Sequence, residues 1–350
     1  YDDLYRLTAA NNPSGLPNEA WTYDKLGNRL TDNRRAGDWQ YNGNNQLTQS
    51  FTTNGDAVTH AYDENGSLTR KQSTSSEPTD NQSYSYDAAN RLVEVKDRDG
   101  NSIATYQYDP FGRRIAKTTS LNTTFFIYSD EGLIAEATPT GGIATEYGWQ
   151  PQNIWGTDPL YIKTTKTNGQ SPEIFYYQND HLGTPQKAVD SQGSVVWEAK
   201  ALAFGETTVA QGSTIANPLR FPGQYYDLET KTHYNYFRTY DYGVGTYSQV
   251  DPIGLAGGIN SYSYVDANPS MRYDPYGLAA LTYDEMSKVV QKNNKSTLSN
   301  ELVICIAWNE SGFDPTIKHQ GCCAKGLMGV TKVATKQVNT VNKKSKGTEY

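Results

Sequence analysis

Two copies of one pentapeptide, Asp251-Pro-Ile-Gly-Leu255 and Asp274-Pro-Tyr-Gly-Leu278, place two carboxylates where the character of this 350-residue chain changes. Eighteen residues, 256 to 273, separate them. As structure alone the pentapeptide is a turn, in which Asp bonds its own backbone, Pro fixes φ and Gly takes the positive angle. As chemistry, two Asp side chains brought together can share a proton, one acting as base toward water and the other as acid toward a scissile amide. The residue types leave both readings open. Further on, Glu310 ends an apolar helical run marked by Leu302, Val303, Ile306 and Ala307, and it stands between Trp308 and Phe313. A carboxyl at a helix C-terminus in apolar surroundings holds its proton more tightly, as a general acid toward a glycosidic oxygen must. A solvated Glu in a helix-ending turn is the plainer alternative.

The elements that would position the two aspartates are repeats. Tyr23-Asp24-Lys25-Leu26-Gly27-Asn28-Arg29-Leu30, Tyr62-Asp63-Glu64-Asn65-Gly66-Ser67-Leu68, Tyr86-Asp87-Ala88-Ala89-Asn90-Arg91-Leu92 and Tyr108-Asp109-Pro110-Phe111-Gly112-Arg113 share one grammar. Tyr41-Asn42-Gly43-Asn44-Asn45-Gln46-Leu47 is a degenerate copy, and the tyrosines at 1, 23, 41, 62, 86 and 108 are spaced by 22, 18, 21, 24 and 22 residues. Each unit predicts a strand ending at Tyr, a tight turn at Asp with Gly or Asn, and a new strand such as residues 92–96, in which apolar and charged residues alternate. One hairpin cannot bury its face alone, so stacked units form a long sheet. Only 36% of residues are hydrophobic, a level that favours disorder, but 27 tyrosines offset it with rings that pack and hydroxyls that bond.

After the second pentapeptide the texture turns helical and basic. From Ala279 onward there are ten Lys, no Arg and six Asp plus Glu, a net +4, whereas the preceding 278 residues carry a net −11. Such a tail suits an anionic partner, cell-wall polymer or nucleic acid, or is simply a Lys-decorated helical surface. Thr282 with Glu285 forms a capping box, and Ser299 is a helix N-cap. Cys305, Cys322 and Cys323 all fall in this tail without four-ligand metal spacing, so neither a metal nor a cofactor is expected; Cys305 can pair with Cys322 or Cys323, or stay a buried thiol. No run is long enough for a transmembrane helix. The opening residues read as the middle of a repeat, so further shell is expected upstream.

These units resemble the YD repeats of the RHS (rearrangement hotspot) family. The stretch 176–278 is similar to the RHS-associated core, through Asn179-Asp180-His181-Leu182-Gly183-Thr184-Pro185, Phe221-Pro222-Gly223-Gln224-Tyr225-Tyr226-Asp227, Tyr234-Asn235-Tyr236-Phe237-Arg238 and both pentapeptides. The resemblance implies a mainly β fold, a spiral sheet closing into a hollow shell. It divides the chain into repeats (1–175), core (176–278) and a C-terminal toxin segment (279–350). It further implies self-cleavage after Leu278 by Asp251 and Asp274 with Arg238 in support. His181, without a nearby nucleophile, reads as structural. Tyr240-Asp241-Tyr242 lacks the proline the family often has there.

The tail carries a second resemblance. Glu310-Ser311-Gly312-Phe313-Asp314-Pro315 and Ala324-Lys325-Gly326-Leu327-Met328-Gly329 look like the lysozyme-like lytic transglycosylase family. That implies a small α-helical domain with Glu310 as sole acid/base, Gly326, Leu327 and Met328 lining a sugar groove, and peptidoglycan as substrate. Gly329 stands where the family has Gln, a later motif is absent, and the 72 residues after Leu278 make this a partial domain. Together the resemblances imply a secreted toxin for interbacterial competition, delivered by type VI-like secretion to the target periplasm. Its partners would be an immunity protein and a secretion spike or chaperone, with no nucleic acid. A shell with a nuclease cargo, and a non-cleaving adhesion or carbohydrate-binding array, remain the alternatives.

Overall fold

The computed structural model describes residues 1–278 except 75, 76 and 167. Glu310, Gly326, Leu327, Met328, the three cysteines and the expected helical segment lie outside the described residues. Tyr1–Ala279 belong to one unit. A three-stranded sheet (Ala9–Ala10, Glu19–Tyr23, Arg29–Asp32) precedes a 16-stranded antiparallel sheet. That sheet runs from Gln40–Tyr41 to Thr207–Val209 with every strand beside its sequence neighbours. The strand Glu173–Asn179 pairs on both sides, so the sheet continues unbroken through the 175/176 point where the core resemblance begins. The change of architecture comes after Val209. There a four-stranded sheet (Tyr225–Asp227, Thr232–Asn235, Arg238–Asp241, Thr246–Tyr247) takes over.

Each repeat folds as its residues dictate. The Asp after the strand-ending Tyr accepts two backbone N–H bonds through one carboxylate oxygen: Asp109 Oδ1 takes Phe111 at 2.9 Å and Arg113 at 2.9 Å. Asp24, Asp63, Asp87 and Asp180 make the same bond to the amide four residues on. The residue three after Asp has positive φ, as at Gly112 (85°) and Asn90 (57°), which is why Gly or Asn recurs there.

The turn forces a bulge. Tyr86 sits opposite Leu92 while Ser85 sits opposite Glu94, leaving Val93 as the extra residue. The same shift occurs beside Tyr62 and Tyr108. Strict alternation along Leu92–Lys96 therefore fails, and Leu92 and Val95 are the buried pair. A bulge also interrupts the ladder and leaves a carbonyl in need of a partner. The next repeat's tyrosine supplies it. Tyr86 donates to the Leu68 carbonyl (2.8 Å), Tyr108 to Leu92 (2.7 Å) and Tyr128 to Arg114 (2.7 Å). The repeat arginine reaches forward as well: Arg91 pairs with its own Asp87 and donates to the Asp109 carbonyl at 3.0 Å.

The small sheet packs against the large one through buried polar contacts. Arg114 makes a two-pronged ion pair with Asp227 at 2.6 and 3.0 Å, and Tyr234 Oη accepts the Arg114 N–H at 2.9 Å. Lys71 pairs with Asp241, and Tyr106 donates to Glu229 at 3.1 Å. Residues 232–235 and 238–241 are buried without exception. Among the described residues no helix is long and apolar enough to cross a membrane.

If the hydroxyl ladder joins successive repeats, Tyr108→Phe should lower stability in urea unfolding by about 1 kcal/mol, because the Leu92 carbonyl loses its partner. An unchanged midpoint and slope would remove that role from the tyrosine.

Candidate functional site

One tight hairpin positions Asn235 and Arg238. Strands 232–235 and 238–241 pair through Asn235 and Arg238, so only Tyr236 and Phe237 make the turn. Tyr236 takes a φ of 51° and is held there by its neighbours: its ring lies 5.0 Å from Trp155 and 5.6 Å from Tyr276. The turn's Phe237 N–H donates to the Tyr276 carbonyl at 3.1 Å, which pins the second pentapeptide to the hairpin. Two glycines allow this approach. A Cβ on Gly223 would lie 2.0 Å from the Pro275 carbonyl oxygen, and one on Gly277 would lie 2.3 Å from that of Asn235.

Both pentapeptides are turns and both bury their carboxylates. Asp251 receives the Ile253 amide on Oδ1 at 3.0 Å, and its carbonyl takes the Gly254 amide at 2.9 Å. Asp274 receives the Leu278 amide on Oδ1 at 2.9 Å. The two acids are each 2% exposed and the guanidinium between them belongs to a residue 1% exposed. Arg238 Nη2 lies 2.9 Å from Asp251 Oδ2 and 3.5 Å from Asp274 Oδ2. These are charge contacts, since Nη2 is not aligned for a hydrogen bond. Arg238 also donates through Nε to the Gly277 carbonyl and through Nη1 to that of Ser261 (3.1 Å). Arg238 thus touches both carboxylates and two backbone carbonyls.

Two buried carboxyls share one cation in a poorly solvating interior, an arrangement that raises the proton affinity of the acid less well compensated by it. Burial pushes the Asp274 carboxyl up from the ordinary 3.8 to about 6, with Asp251 adding to the rise. Arg238, the Tyr247 hydroxyl and the Leu278 amide pull the other way.

Two residues of the site were not singled out from the sequence. Tyr247 donates to Asp274 Oδ2 at 2.7 Å, and its ring lies 3.6 Å beneath the Arg238 guanidinium. Asn235 Nδ2 reaches both the Tyr247 hydroxyl (2.8 Å) and the Asp274 carbonyl (2.9 Å). Asn235 stands in the Tyr-Asn-Tyr-Phe-Arg run already noted, and Tyr247 lies four residues before Asp251, so position in the motif was the available signal. His181 stands apart from this set, its Nε2 bonded to the Ser270 carbonyl at 2.8 Å. Among the described residues no cluster of three or more His, Cys, Asp or Glu side chains is placed to hold a metal ion.

With this geometry in view, comparison with known proteins gives the lineage. The family model described as Teneurin YD-shell matches residues 1–255. The chain belongs to the Teneurin YD-shell family. This YD-shell is 32% identical over 304 residues to the double-stranded DNA deaminase toxin A of Burkholderia cenocepacia, covering 80% of this chain and 20% of that one. It is 33% identical over 279 residues to the probable deoxyribonuclease RhsB of Dickeya dadantii, with 78% and 18% covered. The tRNA nuclease WapA of Bacillus subtilis is 29% identical over 292 residues, with 79% and 12% covered. The chain therefore spans a fifth or less of the length of these relatives. Among solved structures, the crystal structure of TcdB2-TccC3 overlaps 77% of this chain and 18% of its own at 18% identity and a TM-score of 0.45.

The raised Asp274 carboxyl has a consequence for stability. Its folded pKa, about 6, exceeds the unfolded 3.8, so its ionisation weighs against the fold above about pH 6 and ceases to do so below about 4. Asp274→Asn should therefore be more stable than the native shell at pH 7.5, by at most about 3 kcal/mol. That advantage should shrink steadily toward pH 4 in urea titrations. A difference independent of pH would mean that Asp274 is not held in this way.

Proposed function

We propose that this chain is the closing part of a toxin-carrying YD-shell that cuts itself after Leu278 and frees the segment beginning at Ala279. One observation carries the reading: a single buried guanidinium serves both Asp251 and Asp274, while Asp274 grips the amide of the residue whose carbonyl would be cut. In this reading Asp251, the carboxylate nearer Arg238, takes a proton from water as the water oxygen bonds to the Leu278 carbonyl carbon. Asp274 gives its proton to the departing nitrogen of Ala279, and the C–N bond breaks. Arg238 holds both acids and the Gly277 carbonyl in register.

Two readings of the freed segment have separate support. The relatives are named for action on DNA or tRNA, which favours a nucleic-acid enzyme whose lysines meet phosphate. Those names lend nothing to the expectation that nucleic acid is absent from its partners. The resemblance around Glu310, Gly326, Leu327 and Met328 favours a peptidoglycan-cleaving lytic transglycosylase acting in the periplasm of a competitor. Either cargo calls for an immunity protein in the producing cell and a secretion machine for delivery.

The purified chain should run as two fragments, the smaller with Ala279 at its N-terminus, while Asp251→Asn and Asp274→Asn each remain one band. An intact native chain, or an Asp274→Asn chain cut as fast as native, defeats the self-cleavage reading. The complete C-terminal segment then separates the cargoes. Clearing of a peptidoglycan gel that Glu310→Gln abolishes establishes the glycosidase, whereas degradation or deamination of nucleic acid with no clearing establishes the other.

A further inference from the structure

Asp274 presents two oxygens to two different environments. Oδ2 faces charge and donors: the Tyr247 hydroxyl at 2.7 Å and Arg238 Nη2 at 3.5 Å. Oδ1 faces the Leu278 amide at 2.9 Å, on the strand of chain that carries the proposed scissile bond. The direction of the Tyr247 bond is fixed by a third residue. Asn235 Nδ2 can only donate, so its 2.8 Å contact occupies the tyrosine oxygen as acceptor and leaves the hydroxyl proton to point at Asp274. A second bond from the same Nδ2 to the Asp274 carbonyl, 2.9 Å, ties the amide to the backbone it serves. Asn235 and Tyr247 are 0% and 2% exposed, so no water competes for these bonds.

We infer that Tyr247, oriented by Asn235, is the positioning residue that confines the Asp274 proton to Oδ1, the oxygen beside Leu278. This inference rests on the self-cleavage reading and names how its acid is aimed. A donor hydroxyl and a cation on Oδ2 together outweigh the single neutral Leu278 amide on Oδ1, so the proton resides on Oδ1. From Oδ1 it passes to the nitrogen of Ala279 as water adds at the Leu278 carbonyl and Asp251 receives the water proton; the products are the Leu278 carboxyl and the Ala279 amine. The charged and titratable groups around Asp274 are Arg238, Asp251, Tyr247 and Tyr264. Only Tyr247 of these donates a neutral hydrogen bond to Oδ2.

The test is the pH profile of cutting by the 350-residue chain, diluted from urea into buffers from pH 4.5 to 8.5 and followed by mass spectrometry. Native cutting should fall off above about pH 6, where Asp274 loses its proton. Tyr247→Phe keeps the ring beneath Arg238 and removes only the donor. It should cut several-fold more slowly at pH 5, while its fall-off moves upward by about one pH unit, a tenfold change in proton affinity. Asn235→Ala, which frees the hydroxyl to turn, should move the fall-off in the same direction. The midpoint is independent of the fraction of chain that refolds, so a folding defect alone leaves it in place. Variants that cut with the native midpoint overturn the role of Tyr247. Asp274→Asn cut as fast as native overturns the self-cleavage reading beneath it, and the two failures are distinct.

Discussion

A guanidinium held between two carboxylates inside the protein is the contact on which the rest of this chain converges. Removing three charged groups from water costs several kcal/mol for each ion, and the cost is offset only where geometry and further hydrogen bonds are provided. Here every neighbour contributes to that geometry. The carbonyls of Gly277 and Ser261 accept from Arg238 Nε and Nη1, the Tyr247 ring lies against the guanidinium face, and Leu278 and Ile253 give their amides to the acids. Because two acids share one cation, burial raises the Asp274 carboxyl to about 6, and in the proposed reading this is the acid that supplies the proton.

The surrounding architecture encloses that arrangement, leaving Arg238, Asp251 and Asp274 buried. The bulge beside each repeat's turn frees a carbonyl, and the next tyrosine occupies it, so each repeat is stitched to its neighbour by side chain as well as by strand ladder. The resulting sheet presents Arg114 and Lys71 to the small sheet, where Asp227 and Asp241 meet them. That small sheet ends its second strand at Asn235 and starts its third at Arg238, which delivers both into the site from one hairpin.

Much of this was legible from the residues. Tyrosine at strand ends and Asp with Gly or Asn in the turns follow from local conformational preference, which sequence records directly. Asp251, Asp274 and Arg238 were named from their motif, and they do meet. The alternation expected along 92–96 was lost because the bulge at Val93 is a property of the paired turn rather than of one strand. The hydroxyl ladder was hidden for a related reason: a tyrosine's chemistry is plain in sequence, but its partner, sixteen residues back in the case of Tyr108 and Leu92, is set by register. Tyr247 and Asn235 escaped notice because neither is ionised at neutral pH, and their importance lies in where the hairpin aims them.

The most direct measurement is the fate of oxygen during cutting in ¹⁸O-enriched water. With Asp251 activating water and Asp274 serving only as acid, the fragment ending at Leu278 should carry one ¹⁸O in its new terminal carboxyl and none in the side chain of Asp274. Label appearing in the Asp274 carboxylate would mean that this side chain attacks the peptide itself, and would contradict an acid–base pair held around one arginine.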